Sequence, residues 1–215
     1  MDRNVKEKME YEISRIDKLI TDAKPLLDLC KLKELDFFEN IWFKDLEKLD
    51  LKLLHKWYNT DFVKKWFGKE KREWLYDDIE NKYLPYINKQ KPTDAFIILY
   101  GKIKIGYIQT YLLTNYPEYK DCVKADNNSA GLDLFIGEKD YIHKGLGSII
   151  IKKFLVEKIF INNEIEKCVI GPEPKNISAI NAYEKAGFKY KRTIKIPEED
   201  EPEYIMEINK NEMQK

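Results

Sequence analysis

The stretch Tyr141-Ile142-His143-Lys144-Gly145-Leu146-Gly147-Ser148 stands between an apolar strand-like run and a helical one. Two glycines there let a backbone come close to a ligand, and the first N–H groups of a helix point outward without intrahelical partners. A terminus of this kind binds phosphate. His143 and Lys144 add positive character beside it. The loop is not a P-loop, because G-K-[ST] at the required spacing is absent, and not a Rossmann fingerprint, because the third glycine and the downstream acidic residue are missing. Ten residues upstream of His143, Asp133 interrupts the apolar run from Leu132 to Ile136. A carboxylate there is expensive unless it has a partner or faces a cleft. By alternation it shares a face with Phe135, opposite Leu132, Leu134 and Ile136. Asp133 is a candidate base or amine anchor; the alternative is a strand-edge Asp bonded to backbone. Downstream, Asn176 suits a helix N-cap, and Ala179, Tyr183 and Ala186 share one side of the helix that follows. Tyr183 suits either a core position with its hydroxyl reaching water or a proton donor. Two isolated histidines make no metal cluster.

The elements that must hold these residues follow from periodicity. Ala95 to Tyr100 is a strongly apolar strand, Gly101-Lys102 a turn, and Ile103, Ile105, Tyr107 and Gln109 follow with period two, which predicts a β-hairpin. After a polar loop, residues 131–137 read as a strand. Gly145 opens a helix through Ile149, Ile150, Phe154 and Ile159. Residues 167–170 read as a strand, 176–186 as a helix ended by Gly187, and 188–196 with 204–208 as a last antiparallel pair. Upstream, residues 41–43 read as a short strand. Asp50 is positioned to cap a helix holding Leu53, Leu54, Trp57 and Tyr58. Phe62, Val63, Trp66 and Phe67 mark a short helical segment closed by Gly68, and residues 71–90 look helical until Pro85 interrupts. This order predicts an α/β domain on a mixed sheet. Met9, Ile13, Ile16, Ile20 and Ala23 recur at three and four, the spacing of one helix face. Pro25 ends that helix or opens the next, and Leu26, Leu27, Leu29, Cys30 and Leu32 continue an apolar stripe. Residues 1–40 are therefore expected to form a helical N-terminal extension, an arm packed on the main domain in preference to a dimerisation element. Residues 41–215 form the main domain.

Composition excludes several classes. The 215 residues carry 38 Lys+Arg against 38 Asp+Glu, so the net charge is zero, whereas a global nucleic-acid binder is usually basic. With 43% hydrophobic residues and 13% aromatic ones the chain is not disordered throughout. No run approaches the roughly 20 apolar residues that span a bilayer. The amino terminus MDRNVKEKMEYEIS lacks the apolar segment of a signal peptide. Cys30, Cys122 and Cys168 are odd in number and no C-x-x-C occurs, so neither a disulfide framework nor a zinc knuckle is suggested. A reduced, cytoplasmic setting is the expectation, without membrane or nucleic-acid partners, and the N-x-S triplets at Asn127 and Asn176 carry little weight as glycosylation sites.

The glycine loop and the later Asn176-Ile177-Ser178-Ala179-Ile180-Asn181-Ala182-Tyr183-Glu184-Lys185-Ala186-Gly187-Phe188 occur in order and at suitable separation. Together they resemble the GNAT family of acetyl-CoA-dependent N-acetyltransferases, whose loop reads R/Q-x-x-G-x-G/A and whose following helix often reads N-x-x-A-x-x-x-Y-x-K-x-G-F. One departure is Ile142, where Arg or Gln is commonest. A narrower resemblance covers about residues 41–210. Val63-Lys64-Lys65-Trp66-Phe67-Gly68, Tyr83-Leu84-Pro85, Ile105-Gly106-Tyr107-Ile108-Gln109, the segment from Gly131 to Gly137 and Lys144-Gly145-Leu146-Gly147 look like aminoglycoside 6′-N-acetyltransferases. The resemblance implies the GNAT acyl-CoA N-acyltransferase fold, a mixed, mostly antiparallel central sheet flanked by helices. It implies acetyl-CoA as co-substrate and no metal. Phe135, Ile136, His143, Lys144, Gly145, Leu146, Gly147, Ser148, Asn176 and Tyr183 would then contact that co-substrate, the loop largely through main-chain N–H. Asp133 would face the acceptor, and Tyr183 would protonate the departing thiolate.

The implied reaction is direct attack of an amine on the thioester in a ternary complex, with most of the rate gain positional. The amine must be neutral when it attacks, so a base or a water chain is useful. Whether Asp133 removes the proton or only orders the ammonium stays open. Trp66 either stacks against a sugar ring, as the matching aromatic does in the resembled group, or is a core Trp. Aminoglycosides carry several ammonium groups, so a receiving site should be acidic. Glu118, Asp121 and Asp126 lie in the loop before Asp133, and Glu198, Glu199, Asp200, Glu201 and Glu203 form a run near the end, although such runs are usually solvated faces. The resembled enzymes often carry Asp five positions before the Asn of the second motif, where this chain has Gly171. The expected function is acetylation of the 6′-amino group of aminoglycosides, an antibiotic-resistance activity, by a monomer or homodimer. The alternatives are a siderophore-precursor (N-hydroxylysine type) or protein N-acetyltransferase, and a non-catalytic acetyl-CoA-binding module.

Overall fold

The hairpin forms as its alternation demands. β2 (Thr93–Tyr100) and β3 (Ile103–Leu112) pair antiparallel, with Tyr100 opposite Ile103. Gly101 takes a left-handed φ of 57°, which lets the chain reverse through Gly101-Lys102 alone. Its amide donates to the Asn40 carbonyl at 2.7 Å and so fixes the start of β1 (Ile41–Asp45), which runs antiparallel to β2. The computed structural model describes residues 3–67, 72–197 and 200–213, the side chains of residues 3–13, 16, 17, 19, 20, 22, 23, 26 and 27 excepted. Gly68, Glu198, Glu199 and the side chains of Met9, Ile13, Ile16, Ile20, Ala23, Leu26 and Leu27 thus lie outside the described residues.

Among the described residues, seven strands form one sheet in the order β1-β2-β3-β4-β5-β7-β6. The remaining strands are β4 (Ser129–Ile136), β5 (Lys167–Ile170), β6 (Lys189–Ile194) and β7 (Glu203–Asn209). Of the pairs in this sheet only β4 and β5 are parallel, so it is mixed and mostly antiparallel. On one face, α2 (Leu51–Tyr58), α3 (Asp61–Lys64) and α4 (Tyr76–Ile87) bury Leu54, Trp57, Tyr58, Ile79 and Tyr83 against Ile97, Tyr107 and Phe135. By alternation Phe96 points to the other face. There the ring of Phe154, from α6 (Leu146–Phe154), meets Phe96 and Phe43 edge-on at 5.5 and 4.9 Å. α6 runs on through a π-helical turn at Leu155–Ile159. α7 (Ile177–Ala186) packs beside it and ends at Gly187, left-handed at φ 105°. Each fully buried Leu or Ile of these layers contributes about 1.5–3 kcal/mol.

Met1–Glu39 and Asn40–Lys215 are two compact units. In the first, α1 (Arg3–Asn40) continues through Pro25. The expected break there does not occur, and the helix carries the lost backbone bond and the ring's crowding of the carbonyl four residues back, a cost of about 3 kcal/mol. Pro85 likewise stays inside α4, and the helix begins only at Tyr76, not near residue 71. The segment after Thr60 is helical only over Asp61–Lys64, so Trp66 and Phe67 lie in the turn that follows. Asp50 precedes α2 but its side chain does not cap it. The fully buried carboxylate accepts instead from Lys104 Nζ at 2.5 Å, Lys44 Nζ at 3.2 Å and the Glu47 amide at 3.1 Å. Burial alone would raise its carboxyl; these donors outweigh that and hold it below its ordinary value. The loop expected before Asp133 contains a helix, α5 (Pro117–Val123), begun by a proline in its first turn and closed by Lys124 in left-handed conformation. Among the described residues no helix is long and apolar enough to cross a membrane.

Candidate active site

The site begins where two parallel strands part. β4 pairs with β5 at Ser129, Ala130 and Gly131, and among the described residues no further rung forms although β4 continues to Ile136. Peptide groups of β4 beyond Gly131 therefore face a wedge on the β5 side. Buried backbone groups seek partners, so such a wedge suits an extended ligand with amide groups of its own.

The glycine loop enters α6 beside this wedge in the chain. His143 (φ 59°) and Gly145 (φ 81°) are both left-handed, and Gly145 is the N-cap residue. Such turns aim successive N–H groups into one concavity that takes an anion. His143, Lys144 and Gly145 are exposed, with the Lys144 ammonium 6.0 Å from the Tyr141 ring centre. Leu146 and Ser148 are buried, so their side chains serve the helix: Leu146 in the core, Ser148 through a bond to the Gly145 carbonyl at 3.3 Å. Gly147 has a packing role, since a Cβ there would sit 3.3 Å from the Ala182 Cβ of α7. Of the two glycines, Gly145 alone is required by backbone conformation.

Asp133 lies inside the sheet, opposite Gln109 of β3, and is half-buried. It is not a strand-edge Asp held by backbone. Gln109 Nε2 donates to Asp133 Oδ2 at 2.8 Å, and the Tyr107 hydroxyl donates to Gln109 Oε1 at 2.6 Å, which fixes the amide orientation. Tyr111, the next residue on that face, brings its hydroxyl near enough to favour the charged carboxylate. Its ring lies over Gly131, where any Cβ would overlap it. Removal from water raises the Asp133 carboxyl above its ordinary value; Gln109, the Lys82 charge and Tyr111 oppose that rise without cancelling it. An ionisable carboxylate pushed upward beside a cleft suits proton transfer.

Around it stand aromatic rings from four elements. Tyr58, Tyr83, Tyr107 and Phe135 are buried together, with Phe67 and Trp74 packed against them. The Lys82 ammonium lies 5.1 to 5.6 Å from the ring centres of Tyr58, Phe67, Trp74 and Tyr83 and donates to the Tyr58 hydroxyl at 2.9 Å. The Phe135 side chain belongs to this cluster and its carbonyl faces Gly106 of β3, so the expected co-substrate contact at Phe135 is not available, and Ile136, of opposite alternation, faces the wedge in its place. Trp66 is half-buried, with the Lys65 ammonium 4.6 Å over its ring.

Asn176 is the N-cap of α7, its Oδ1 accepting from the Ala179 amide at 3.2 Å, which leaves its amide nitrogen to donate elsewhere. Tyr183 is buried against Phe188, with ring centres 5.8 Å apart. Burial and then the nearby Asp133 charge push its hydroxyl far above the ordinary phenol value. The structure leaves Glu118 and Asp121 exposed on α5, while Tyr119 between them turns to Glu203. Asp126 is engaged by Lys167 at 2.6 Å. Gln109, Tyr111 and Lys82 had no role in the sequence reading. Gln109 alone left a trace there, a polar residue at an inward position of an apolar strand.

Lys82 gives a direct test of the Asp133 environment. A positive charge favours the ionised carboxylate, so Lys82→Met is expected to raise the Asp133 pKa further. If Asp133 works as a base, rate is lost as pH falls through that value. The acid limb of kcat/KM should therefore move to higher pH in the variant. A limb that stays in place while the protein remains folded would show that Lys82 does not tune this carboxylate.

Comparison with known proteins agrees with this geometry. A family model described as the acetyltransferase (GNAT) domain matches residues 47–196. An aminoglycoside N(6′)-acetyltransferase type 1 of Klebsiella pneumoniae is 28% identical over 160 residues, covering 74% of this chain and 79% of that protein. A kanamycin resistance protein of Rhizobium radiobacter is 35% identical over 75 residues, covering 35% of this chain and 68% of that protein. Among solved structures, AAC(6′)-Ib in complex with paromomycin and acetyl-CoA superposes with a TM-score of 0.72 at 26% identity, over 82% of this chain and 97% of that one. The family match spans most of the chain and contains the parted strands, the glycine loop, Asp133 and Tyr183: the chain belongs to the GNAT family of acetyltransferases.

Proposed function

We propose that this chain transfers the acetyl group of acetyl-CoA to the 6′-amino group of aminoglycosides, in a ternary complex without an acyl-enzyme. The observation that carries the reading is Asp133, an inward carboxylate held by Gln109 near Tyr111 at the point where β4 and β5 part. A cationic amine must lose a proton before it attacks, and this carboxylate is placed to take it. The fit to acetyl-CoA rests on this chain's own features. The open edge of β4 offers main-chain groups of Ile136, whose neighbour Phe135 turns its carbonyl to β3, to an amide-bearing arm, and the amide nitrogen of Asn176 adds a donor. The left-handed loop from His143 to Gly145 and the first turn of α6 offer N–H groups to phosphates. The group supplies a thioester acetyl when bound; the protein's part is to hold the amine against it, take up its proton at Asp133 and return one to sulfur from the Tyr183 hydroxyl. Names of similar proteins support the acceptor class: aminoglycoside N(6′)-acetyltransferase, and AAC(6′)-Ib solved with CoA and kanamycin.

Residues 41–215 carry this activity in our reading, with residues 1–40 as an extension. A cytoplasmic setting is part of the same proposal and is supported by three unpaired cysteines. The test is release of CoA thiol by purified protein with acetyl-CoA and kanamycin, tobramycin, a 6′-hydroxy aminoglycoside or N-hydroxylysine. Turnover with the 6′-amino drugs and not the 6′-hydroxy one is expected. Silence with every aminoglycoside would overturn the acceptor, and turnover with N-hydroxylysine alone would put a siderophore precursor in its place.

A further inference from the structure

We infer that Glu203 is a second cation anchor of the acceptor site, taking an ammonium of the acceptor other than the one acetylated; this rests on the acceptor proposed above. Glu203 opens β7 at the edge of the parted strands, just past the last β5–β7 rung at Ile170 and Met206. The neighbouring Tyr204 amide bonds the Pro172 carbonyl at 2.8 Å, which holds this end of β7 against the chain leaving β5. The carboxylate lies over Gly171: a Cβ built there would sit 2.8 Å from Glu203 Cδ and overlap a carboxylate oxygen. Gly171 thus makes room for an acid reaching across from the adjacent strand. The Tyr119 hydroxyl of α5 donates to Oε2 at 2.8 Å and orients the group.

Tyr111 links this carboxylate to the reaction centre. Burial pushes its hydroxyl well up, and the charges of both Asp133 and Glu203 add to the rise. Its ring lies over Gly131 of β4, and it packs together with Tyr119, which bonds Glu203, on the cluster formed by Val169 of β5 and Ile205 of β7. The other described acids of the terminal run are differently placed. Glu201 pairs with Lys175 at 2.9 Å, and Asp200 offers its carbonyl to Lys195. Glu203 alone among them is half-buried over the parted strands and bonded from α5. An acceptor with one amine at Asp133 and another on the far side of Tyr111 satisfies both acids. An acceptor with one amine satisfies only the first. Glu203 thereby selects for polycationic acceptors, and its position supplies the carboxylate that Gly171 does not.

The experiment compares Glu203→Gln with the parent protein in steady-state kinetics, using kanamycin and a single-amine probe, a methyl 6-amino-6-deoxyglucoside. Gln keeps an oxygen for the Tyr119 hydroxyl, so a merely structural role would survive the change. The expected result is a rise in kanamycin KM of roughly tenfold or more, the scale of one lost charge-assisted bond, with kcat, acetyl-CoA KM and single-amine kinetics unchanged. A second variant, Gly171→Asp with Glu203→Ala, returns a carboxylate to the same volume from β5 and should recover the kanamycin KM. An unchanged kanamycin KM in Glu203→Gln, or an equal loss on the single-amine probe, would overturn the inference while leaving the acceptor assignment intact. Absence of kanamycin turnover in the parent protein would instead overturn that assignment, and the inference with it.

Discussion

Asp133→Asn is expected to lower kcat by about 10²–10⁴-fold, the range for loss of a positioned proton acceptor, with little change in acetyl-CoA affinity. The substitution is nearly isosteric. The side-chain carbonyl of the introduced asparagine can still accept from Gln109 Nε2, so the polar pair between β3 and β4 survives and the thermal midpoint should stay close to that of the parent. The pH profile separates a base from an anchor. In the parent protein, burial raises the Asp133 carboxyl, so kcat/KM should fall as pH drops through that raised value. In the variant this limb should disappear, leaving a slow rate that climbs with pH as free amine accumulates. If Asp133 only ordered the ammonium, the variant would show a large rise in acceptor KM and a kcat near that of the parent. A variant within about threefold of the parent in both constants would exclude Asp133 from the reaction altogether.

The features legible in the sequence are those set by local pattern. Alternation from Ala95 to Gln109 and the Gly101-Lys102 turn specify the turn ends of β2 and β3, while the outward extension to Thr93 and Leu112 and the bulge between Ile98 and Leu99 show only in the structure. Asp133 stands out because one carboxylate breaks an apolar strand, and Gly145 because a pair of glycines opens a helix; the left-handed φ that requires glycine at Gly145 shows only in the structure. What could not be read depends on contacts far apart in the chain. Asp50 has the residue type and place of an N-cap, yet Lys104, 54 positions away, recruits its carboxylate. The tyrosines around Asp133 come from α2, α4 and β3 and read singly as core residues. Lys82 looks like a solvated helix lysine until α4 packs and brings it over four rings. The acidic side of the cleft shows the same limit. Glu118 and Asp121 lie near Asp133 in sequence, but α5 turns Tyr119 inward and leaves both acids exposed. Glu203 was one member of a charged run, and only the sheet order β5-β7-β6 brings it to Gly171. The sequence pairs Gly147 with Gly145 as a ligand-facing glycine, whereas in the fold its missing side chain lies against Ala182 of α7.

Tyr183→Phe should reduce kcat by about 10²-fold, at the low end for a proton donor, with both KM values held. The ring that packs on Phe188 is retained, so the fold is not at issue. The shape of the loss across pH carries the argument. A group that donates to the departing thiolate must hold its proton at working pH. Burial and the Asp133 charge keep the Tyr183 hydroxyl protonated far above the ordinary phenol value of roughly 10. The deficit should therefore be the same from about pH 6 to about pH 9, because the donor is fully loaded throughout. A tyrosine acting as tyrosinate would behave in the opposite way: the Phe variant would match the parent at low pH and fall behind only as pH rises. Single-turnover measurement is the appropriate readout, since slow product release can hide a loss in the chemical step. A Phe variant equal to the parent in single turnover would return Tyr183 to packing between α7 and Phe188 and leave the thiolate to be protonated by water.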